Sequence, residues 1–240
     1  MAIEITSANN LAKTKGIKCL VYGESGLGKT MLAATAKNCV VISIEPGTLS
    51  LVSENIKRVF GEDKGDINYN PAIIQAQTLG QAEEALGWAL SKEAEAYDTI
   101  VIDSLTEYGR LLLSDATERL KDGRQIYGDV QTKLLDMLYT IKHSEGKNFV
   151  IIAHARWYDA TDNDVEICGP ALPGKQLGRS SPHEFDEVFQ IAQAKNKEGK
   201  LKRYLKTEKD DYGYAKDRSG ALNKKERPHL DNIFKKILGE

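Results

Sequence analysis

Several features that define particular classes of protein are scarce or missing in this sequence. It holds three cysteines in 240 residues, at positions 19, 39 and 168, without the spacing of a metal-binding cluster. A disulfide-stapled scaffold and a zinc module are therefore excluded, and buried reduced thiols are expected. No apolar run approaches the roughly 20 residues that cross a bilayer, and the opening MAIEITSANN lacks a signal-peptide core. These absences predict a cytoplasmic globular protein with no membrane partner.

Neither sign of charge dominates the chain, which carries a formal net charge of −2 with 41% hydrophobic and 28% charged residues. Such a composition is that of an ordinary globular protein. The charge is nevertheless uneven, because residues 195–227 contain twelve Lys and Arg against six Asp and Glu. This basic stretch either faces a polyanion or forms a solvated, lysine-rich hairpin, and composition favours neither reading.

A glycine-rich stretch, GESGLGKT, lies between a buried strand expected at residues 17–21 and a helix expected at residues 31–37. The glycines let backbone N–H groups turn inward, the helix start adds partial positive charge, and Lys29 adds a full charge. The Thr30 hydroxyl suits Mg²⁺, so the pattern predicts a nucleotide phosphate site; a glycine turn that binds nothing is the minor alternative. The expected contact residues are Gly23, Glu24, Ser25, Gly26, Leu27, Gly28, Lys29, Thr30 and Met31.

Polar residues end three further apolar runs that are typical of buried parallel strands. Asp103 ends TIVID, Glu45 ends VVISIE and His154 ends FVIIAH. Such strand ends meet at one edge of an α/β sheet, where ligands bind. We expect Asp103 to hold Mg²⁺ opposite Thr30, and Glu45 to activate a water as general base. His154 is expected to sense the terminal phosphate. Each residue also has an alternative without a catalytic role: Asp103 could simply begin a loop, Glu45 could be a solvated residue of a turn, and His154 could be a structural histidine.

Two cations, Lys216 and Arg218, alternate in the stretch AKDRSG. On a strand they point to the same side. In a terminal hairpin they cannot easily reach the phosphate site of their own chain, so they are candidates for a finger supplied to a neighbouring subunit. The alternative, to which the sequence gives equal weight, is that both residues are ordinary surface cations.

The order of elements predicts an α/β protein. Apolar runs indicate buried strands at residues 39–47, 97–104 and 148–157, and later strands flank a Glu198-Gly199 turn. Thr78 and Gln81 form a capping box for one helix. Two more helices are expected at residues 105–121 and 128–143, with Gly123 breaking them, and Pro228 opens a final helix; residues 48–77 remain unassigned. The pattern favours a mostly parallel sheet with antiparallel strands at its C-terminal end.

Residues 156–182 contain three prolines, three glycines and little periodicity, so a long functional loop is expected there. Its aromatic and basic side chains suit single-stranded DNA, whereas its acidic ones would repel it. A lid or a subunit contact is the alternative. The candidate DNA contacts are Arg156, Trp157, Lys175 and Arg179, and the acidic residues are Asp159, Asp162, Asp164 and Glu166.

Together these motifs resemble a RecA-type P-loop ATPase over most of residues 15–220. In that family the phosphate loop comes first, here GESGLGKT, a catalytic glutamate ends the next strand, here Glu45, and a nucleotide-binding aspartate precedes a serine, here IVIDS. IIAHAR resembles the sensor strand before the DNA-binding loop, with His154 where glutamine is common. AKDRSG resembles the K-x-R-x-G element that projects into the neighbouring subunit's site in hexameric helicase and RadA-like members.

The resemblance implies a three-layer RecA-like core at residues 15–227, flanked by a segment at 1–14 and a short helix at 228–240. It implies ATP and Mg²⁺ as cofactors, catalytic roles for Lys29, Glu45 and His154, and a homo-oligomeric ring or filament that shares sites through Lys216 and Arg218. The chain is most similar to compact phage-encoded ATPases of single-strand annealing recombination. That similarity implies single-stranded DNA and a single-strand binding protein as partners in the host cytoplasm.

Two other functions remain open from the sequence. An ATPase that acts on a protein partner, such as a helicase loader or a motor subunit, would share the same nucleotide motifs. A small-molecule kinase would need an acceptor and an arginine-bearing lid, which the sequence does not reveal. An N-K-x-D element for guanine is absent from the sequence, so ATP is preferred to GTP.

Overall fold

The computed structural model describes residues 15–62, 64–159 and 166–240. Within those residues ten strands form one sheet. Their bounds are β1 Lys18–Gly23, β2 Cys39–Ser43, β3 Ala72–Gln75, β4 Thr99–Asp103, β5 Asn148–Tyr158, β6 Ile167–Pro170, β7 Glu187–Lys195, β8 Leu201–Lys206, β9 Lys216–Asp217 and β10 Lys225–Glu226.

Helices cover both faces of the sheet. The α-helices are α1 Ser53–Phe60, α2 Leu79–Ala89, α3 Leu105–Arg119, α4 Gly123–His143, α5 Lys175–Ser180 and α6 Leu230–Leu238. Short 3₁₀-helices are Thr30–Thr35, Thr48–Leu51, Lys92–Ala96 and Ser181–Glu184. None of the helices in the described parts of the chain combines the length and apolar character needed to cross a bilayer.

The sheet is parallel in its centre and antiparallel at one end. Its main path is β10–β8–β7–β1–β5–β4–β2–β3, with β6 beside β5 and β9 beside β7. The strands from β7 to β3 along that path run parallel, whereas β8, β9 and β10 pair antiparallel. This arrangement confirms the predicted α/β fold class, a mostly parallel sheet between layers of helices with antiparallel strands at its C-terminal end.

Each face of the sheet has its own apolar core. On one face α2, α3 and α4 cover Leu20, Ile42 and Ile151, all of which are fully buried. On the other face the 3₁₀-helix Thr30–Thr35 and α6 cover Cys19, Val101 and Ile152. Alternate residues of the same central strands thus enter opposite cores, which is why these strands read as continuous apolar runs.

Several local predictions are confirmed. Thr78 and Gln81 form both hydrogen bonds of the capping box at the start of α2. The strands around the Glu198-Gly199 turn are β7 and β8, and Gly199 has the positive φ of +76° that such a turn favours. All three cysteines are free thiols buried in the fold.

The two helices expected at residues 105–121 and 128–143 are present as α3 and α4, and the helix predictions need two corrections. The break between these helices precedes Gly123, and α4 begins at Gly123, because the Asp122 carboxylate accepts hydrogen bonds from the N–H groups of Arg124 and Gln125 and caps the helix. The helix after the glycine loop is a short 3₁₀-helix that ends at Thr35, whose hydroxyl donates to the Leu32 carbonyl. The unassigned residues 48–77 contain a 3₁₀-helix, α1 and β3.

The prediction of a long loop at residues 156–182 is wrong for the part of this stretch that the structure describes. Strand β5 continues to Tyr158, β6 pairs with it antiparallel, and α5 follows. On the side of β6 away from β5, Cys168 donates to the Tyr212 carbonyl and accepts from the Tyr214 N–H. Pro170 is the last residue of β6, so its missing N–H does not interrupt the strand. Asp162 and Asp164 lie outside the described residues.

Candidate functional site

The glycine-rich loop follows β1 at the middle of the sheet. Gly26 and Gly28 have φ angles of +79° and +86°, in the left-handed region that side chains with a β-carbon rarely adopt. The Lys29 ammonium donates to the carbonyls of Gly23 at 2.8 Å and Glu24 at 2.9 Å, and so curls back over the loop. The loop therefore has the backbone form of a phosphate cradle with a cation at its edge.

The remaining loop residues differ in exposure. Glu24 and Ser25 are exposed, Leu27 is half-buried, and the Met31 side chain is buried against Ile56. Met31 thus contributes to packing beneath the loop, and only its backbone can face a phosphate.

Asp103 lies at the tip of β4, beside the end of the loop. The Thr30 hydroxyl donates to its Oδ2 at 2.5 Å. The pairing of β4 between β2 and β5 brings this carboxylate to the edge of the sheet at which β1 ends. The structure thus brings together the two side chains that the sequence predicts as Mg²⁺ ligands.

Glu45 lies two residues beyond β2, where the N–H groups of Ile44 and Glu45 both donate to the Asp103 carbonyl. Its Oε1 accepts hydrogen bonds from the Ser104 hydroxyl and, at 2.8 Å, from His154 Nε2 if that nitrogen carries the proton. His154 pairs in register with Gly23, the first residue of the loop. The carboxylate is therefore oriented by two neighbouring strand ends.

Burial perturbs the charges at this site. Burial lowers the pKa of Lys29, while the carboxylates of Asp103, Glu45 and Glu24 raise it. Burial also raises the pKa of Asp103, against the hydrogen bond from Thr30 that lowers it, and Glu45 adds to the increase. These groups are poorly solvated, so an anion at Lys29 and a cation at Asp103 would compensate them.

The donor chemistry fits a magnesium nucleotide. Mg²⁺ prefers oxygen ligands, and proteins usually bind it through one or two side chains together with phosphates. Thr30 and Asp103 supply a hydroxyl and a carboxylate. Among the described residues, no group of three or more His, Cys, Asp or Glu side chains is arranged to hold a metal ion.

Lys216 and Arg218 lie elsewhere. Strand β9 pairs with the first residues of β7, and Glu187 of β7 is in register with Cys19 of β1. Cys19 is four residues, or about 13 Å, before the tip of β1. The Lys216 ammonium donates to the carbonyls of Pro182 and Phe185, and Arg218 pairs with Asp186 at 2.7 Å. Neither cation lies at the phosphate loop of its own chain.

Three of the candidate DNA contacts, Arg156, Lys175 and Arg179, lie around Tyr158 and Asp159. Trp157 alternates with Arg156 along β5 and so points to the other face of the strand. We call the region around these four residues the β5–β6 surface. Trp157 is 49% exposed. The guanidinium groups of Arg156 and Arg179 lie 5.6 and 6.0 Å from the centre of the Tyr158 ring. Lys175 pairs with the Asp159 carboxylate, and Arg179 donates to the Asp159 carbonyl. An exposed aromatic side chain and three cations, one of them paired with the Asp159 carboxylate, are thus both present at β5.

Two residues of the site, Thr106 and Arg203, were not singled out by the motifs, and a third, Ser104, entered them only as the residue after Asp103. Ser104 bonds Glu45 and also caps α3 by accepting from the Glu107 N–H; its Ser-x-x-Glu spacing is a sequence signal for such a cap. Thr106 accepts a hydrogen bond from the His154 N–H at 2.9 Å. Arg203 of β8 lies against the loop, with Nη2 3.4 Å from the Gly26 carbonyl oxygen. No local pattern distinguishes Arg203 from other cations of the basic stretch.

One of three comparisons with known proteins shows the family of this chain. No curated protein matches the chain. Among solved structures, the crystal structure of the RadB recombinase is similar, with 14% identity and a TM-score of 0.46 over 85% of this chain and 91% of that one. The family model described as an AAA domain matches residues 15–219. Because that match spans most of the sequence, this chain belongs to the AAA domain family and is a P-loop ATPase.

Proposed function

We propose that the chain hydrolyses ATP with Mg²⁺ held by Thr30 and Asp103, and with Glu45 as general base. The observation that carries this proposal is the convergence of the Asp103 and Glu45 carboxylates beside the Lys29 loop. Lys29 binds the β- and γ-phosphates, and loop N–H groups bind the phosphate oxygens. Bound Mg²⁺ neutralises charge on the phosphates.

Glu45 accepts a proton from the attacking water, while Ser104 and His154 hold its Oε1 in place. His154 is 40% exposed and lies beside Gly23, so a terminal phosphate can compete with Glu45 for its ring nitrogen. We propose His154 as the sensor that couples nucleotide state to β5, because β5 leads directly into the β5–β6 surface.

We further propose a role in DNA recombination, with single-stranded DNA bound at the β5–β6 surface. The exposed Trp157 supplies a face on which a base can stack, and Arg156, Lys175 and Arg179 supply phosphate partners. Phage-type strand annealing, a single-strand binding protein as a partner and the cytoplasm as the place of action remain predictions from the sequence resemblance. The division into 1–14, 15–227 and 228–240 is likewise a proposal.

We propose a homo-oligomer, a ring or a filament, in which Arg218 and Lys216 serve the neighbouring subunit's site. The exposed Arg218–Asp186 pair is the kind of surface ion pair whose stabilising effect is small, about 0–1 kcal/mol, so Arg218 can leave Asp186 for a phosphate at little cost. Lys216 is more firmly held, because two carbonyls of its own chain accept its hydrogen bonds.

One observation favours an alternative, an ATPase that acts on a protein partner such as a helicase loader or motor subunit. The Asp159 carboxylate pairs with Lys175, which reduces the positive charge that the β5–β6 surface presents to a DNA backbone. An exposed tryptophan also suits a protein interface, where aromatic side chains are enriched.

ATPase activity measured with and without single-stranded DNA separates the two functions. We expect stimulation by DNA, and we expect Trp157→Ala to weaken DNA binding about tenfold, since stacking is worth about 1–3 kcal/mol per base. Tyr139→Ala removes another exposed aromatic side chain, on α4, and should leave DNA binding unchanged. ATP turnover that is insensitive to DNA, together with no DNA binding, would instead support the protein partner.

A further inference from the structure

A cavity of about 710 Å³ opens beside the phosphate loop. Its walls include Gly28 and Met31 from the loop and the following 3₁₀-helix, Phe60 from α1, and Gln193 and Arg203 from β7 and β8. Arg227 lines it as well. The motifs of the sequence assign no role to this cavity.

The cavity and the acidic side chains lie on opposite sides of β1. In the sheet, β5, β4 and β2 follow β1 in one direction and present His154, Asp103 and Glu45. Strands β7 and β8 follow β1 in the other direction and form one wall of the cavity. A nucleotide whose terminal phosphate faces Glu45 must therefore cross the tip of β1, with its nucleoside end toward the cavity.

Arg203 lies at the point where the cavity meets the loop. Its Nη1 is 2.8 Å from the position that a β-carbon on Gly28 would occupy, and its Nη2 is 3.4 Å from the Gly26 carbonyl oxygen. The antiparallel pair of Arg203 with Gln193 fixes its backbone. Within residues 15–62, 64–159 and 166–240, no carboxylate forms an ion pair with Arg203 or Arg227.

We infer that Arg203 binds the nucleotide of its own chain, on the nucleoside-side phosphate, at the mouth of a cavity that receives the ribose and base. This inference rests on the proposed nucleotide site and adds a binding residue to it. The guanidinium is rigid, permanently charged and forked, so it can bond a phosphate oxygen with one nitrogen and keep its contact with the loop. Lys29 and Arg203 then hold the phosphates from the two sides of β1.

The inference is tested by titrating wild type and Arg203→Ala with Mg²⁺-ADP and with inorganic pyrophosphate in a calorimeter. We expect the dissociation constant for ADP to rise at least about tenfold, as for loss of a charged hydrogen bond, while that for pyrophosphate changes less than about twofold. Arg203→Lys keeps the charge without the fork and should show a smaller loss. Arg124→Ala, at an exposed position of α4, removes the same charge elsewhere and should bind both ligands like wild type.

The outcomes separate this inference from the proposed function. If wild type binds neither ligand, the nucleotide site itself is wrong. If wild type binds ADP and Arg203→Ala binds it equally well, the site stands and the role of Arg203 is refuted. Equal losses for ADP and pyrophosphate would also refute it, because Arg203 would then act on the whole loop. If melting shows that Arg203→Ala is unfolded, Arg203→Gln replaces it in the same two titrations.

Discussion

The two ends of β1 both lie beside charged side chains, but they differ in what those side chains are bonded to. At the tip, Lys29 donates to two carbonyls of the loop. The carboxylates of Asp103 and Glu45 accept from small hydroxyls and from one histidine. At the base, Arg218 is paired with Asp186, and Lys216 is bonded to carbonyls.

This difference indicates which end is built for a ligand. Burial lowers the pKa of Lys29 at the tip and that of Lys216 at the base, so burial alone does not separate the two ends. At the tip, however, Lys29 lies with the carboxylates of Asp103 and Glu45 beside the glycine loop, where a phosphate and a divalent cation would compensate these charges. At the base, Arg218 is already paired with the Asp186 carboxylate of its own chain. A role for Arg218 in phosphate binding would therefore require the site of a second subunit.

The largest effect is expected from Lys29→Ala at the tip. Loss of the ammonium removes the cation that faces the β- and γ-phosphates, and ATP hydrolysis should fall below detection with the fold intact. Turnover of ATP and circular dichroism measure the two properties. Lys37→Ala, at an exposed position just beyond the 3₁₀-helix, is the matched control and should remain active. Unchanged turnover in Lys29→Ala would show that the site is misassigned.

The tip was largely predictable from sequence because each of its residues ends a continuous apolar run, and parallel pairing brings such ends together. Glu45 shows the limit of that reasoning. It lies beyond β2, and two N–H groups bonded to the Asp103 carbonyl, which the sequence does not reveal, bring it to the site.

The β5–β6 hairpin and Arg203 could not be predicted, for different reasons. By local preference, Gly169 and Pro170 indicate a loop. A β-carbon on Gly169 would, however, lie 3.1 Å from the Tyr214 ring. Tertiary packing, rather than a turn, therefore explains this glycine. Arg203 is one of twelve cations in a short basic stretch. Only the pairing of β8 with β7 brings it to a loop that lies 177 residues away in sequence.

The next largest effect is expected at the base, from Arg218→Ala. If Arg218 completes a neighbouring site, its loss should lower ATP turnover about a thousandfold, the lower end of what an arginine finger supplies. Mixing Arg218→Ala with Lys29→Ala subunits should restore part of the activity, because some interfaces then combine an intact Lys29 with an intact Arg218. If the mixture is no more active than the two variants measured alone, Arg218 has only a surface role.

Glu45→Gln, again at the tip, should produce an intermediate effect. The amide has nearly the same shape but cannot accept the water proton, so hydrolysis should slow by about a hundredfold while Mg²⁺-ATP still binds. Single-turnover kinetics and calorimetry report the two quantities. Glu93→Gln makes the same change at an exposed position of the 3₁₀-helix Lys92–Ala96, away from the loop, and should turn over normally. A normal rate for Glu45→Gln would remove Glu45 as the base.

The smallest effect is on stability, and it concerns Glu187 at the base. Burial, reinforced by the nearby Asp217 and Asp186 carboxylates, raises the pKa of Glu187 to about 8, and its Oε1 accepts the Ser219 N–H. The folded chain therefore keeps a proton that the unfolded chain releases near the ordinary glutamate pKa of 4.5. The free energy of unfolding should fall as pH rises between these two values, and this contribution should stay constant above pH 8.

Glu187→Gln removes that titration, so the pH dependence of unfolding should be flatter in the variant from about pH 5 to 8. Chemical denaturation at several pH values measures the slope, which for one proton is at most about tenfold in the folding equilibrium constant per pH unit. Glu198→Gln, at the exposed turn between β7 and β8, should keep the wild-type slope. An unchanged slope in Glu187→Gln would mean that Glu187 is already ionised in the folded chain. The cation of the base that would then compensate it is Lys216, so the base would hold a balanced pair of charges where the tip holds two carboxylates beside one lysine.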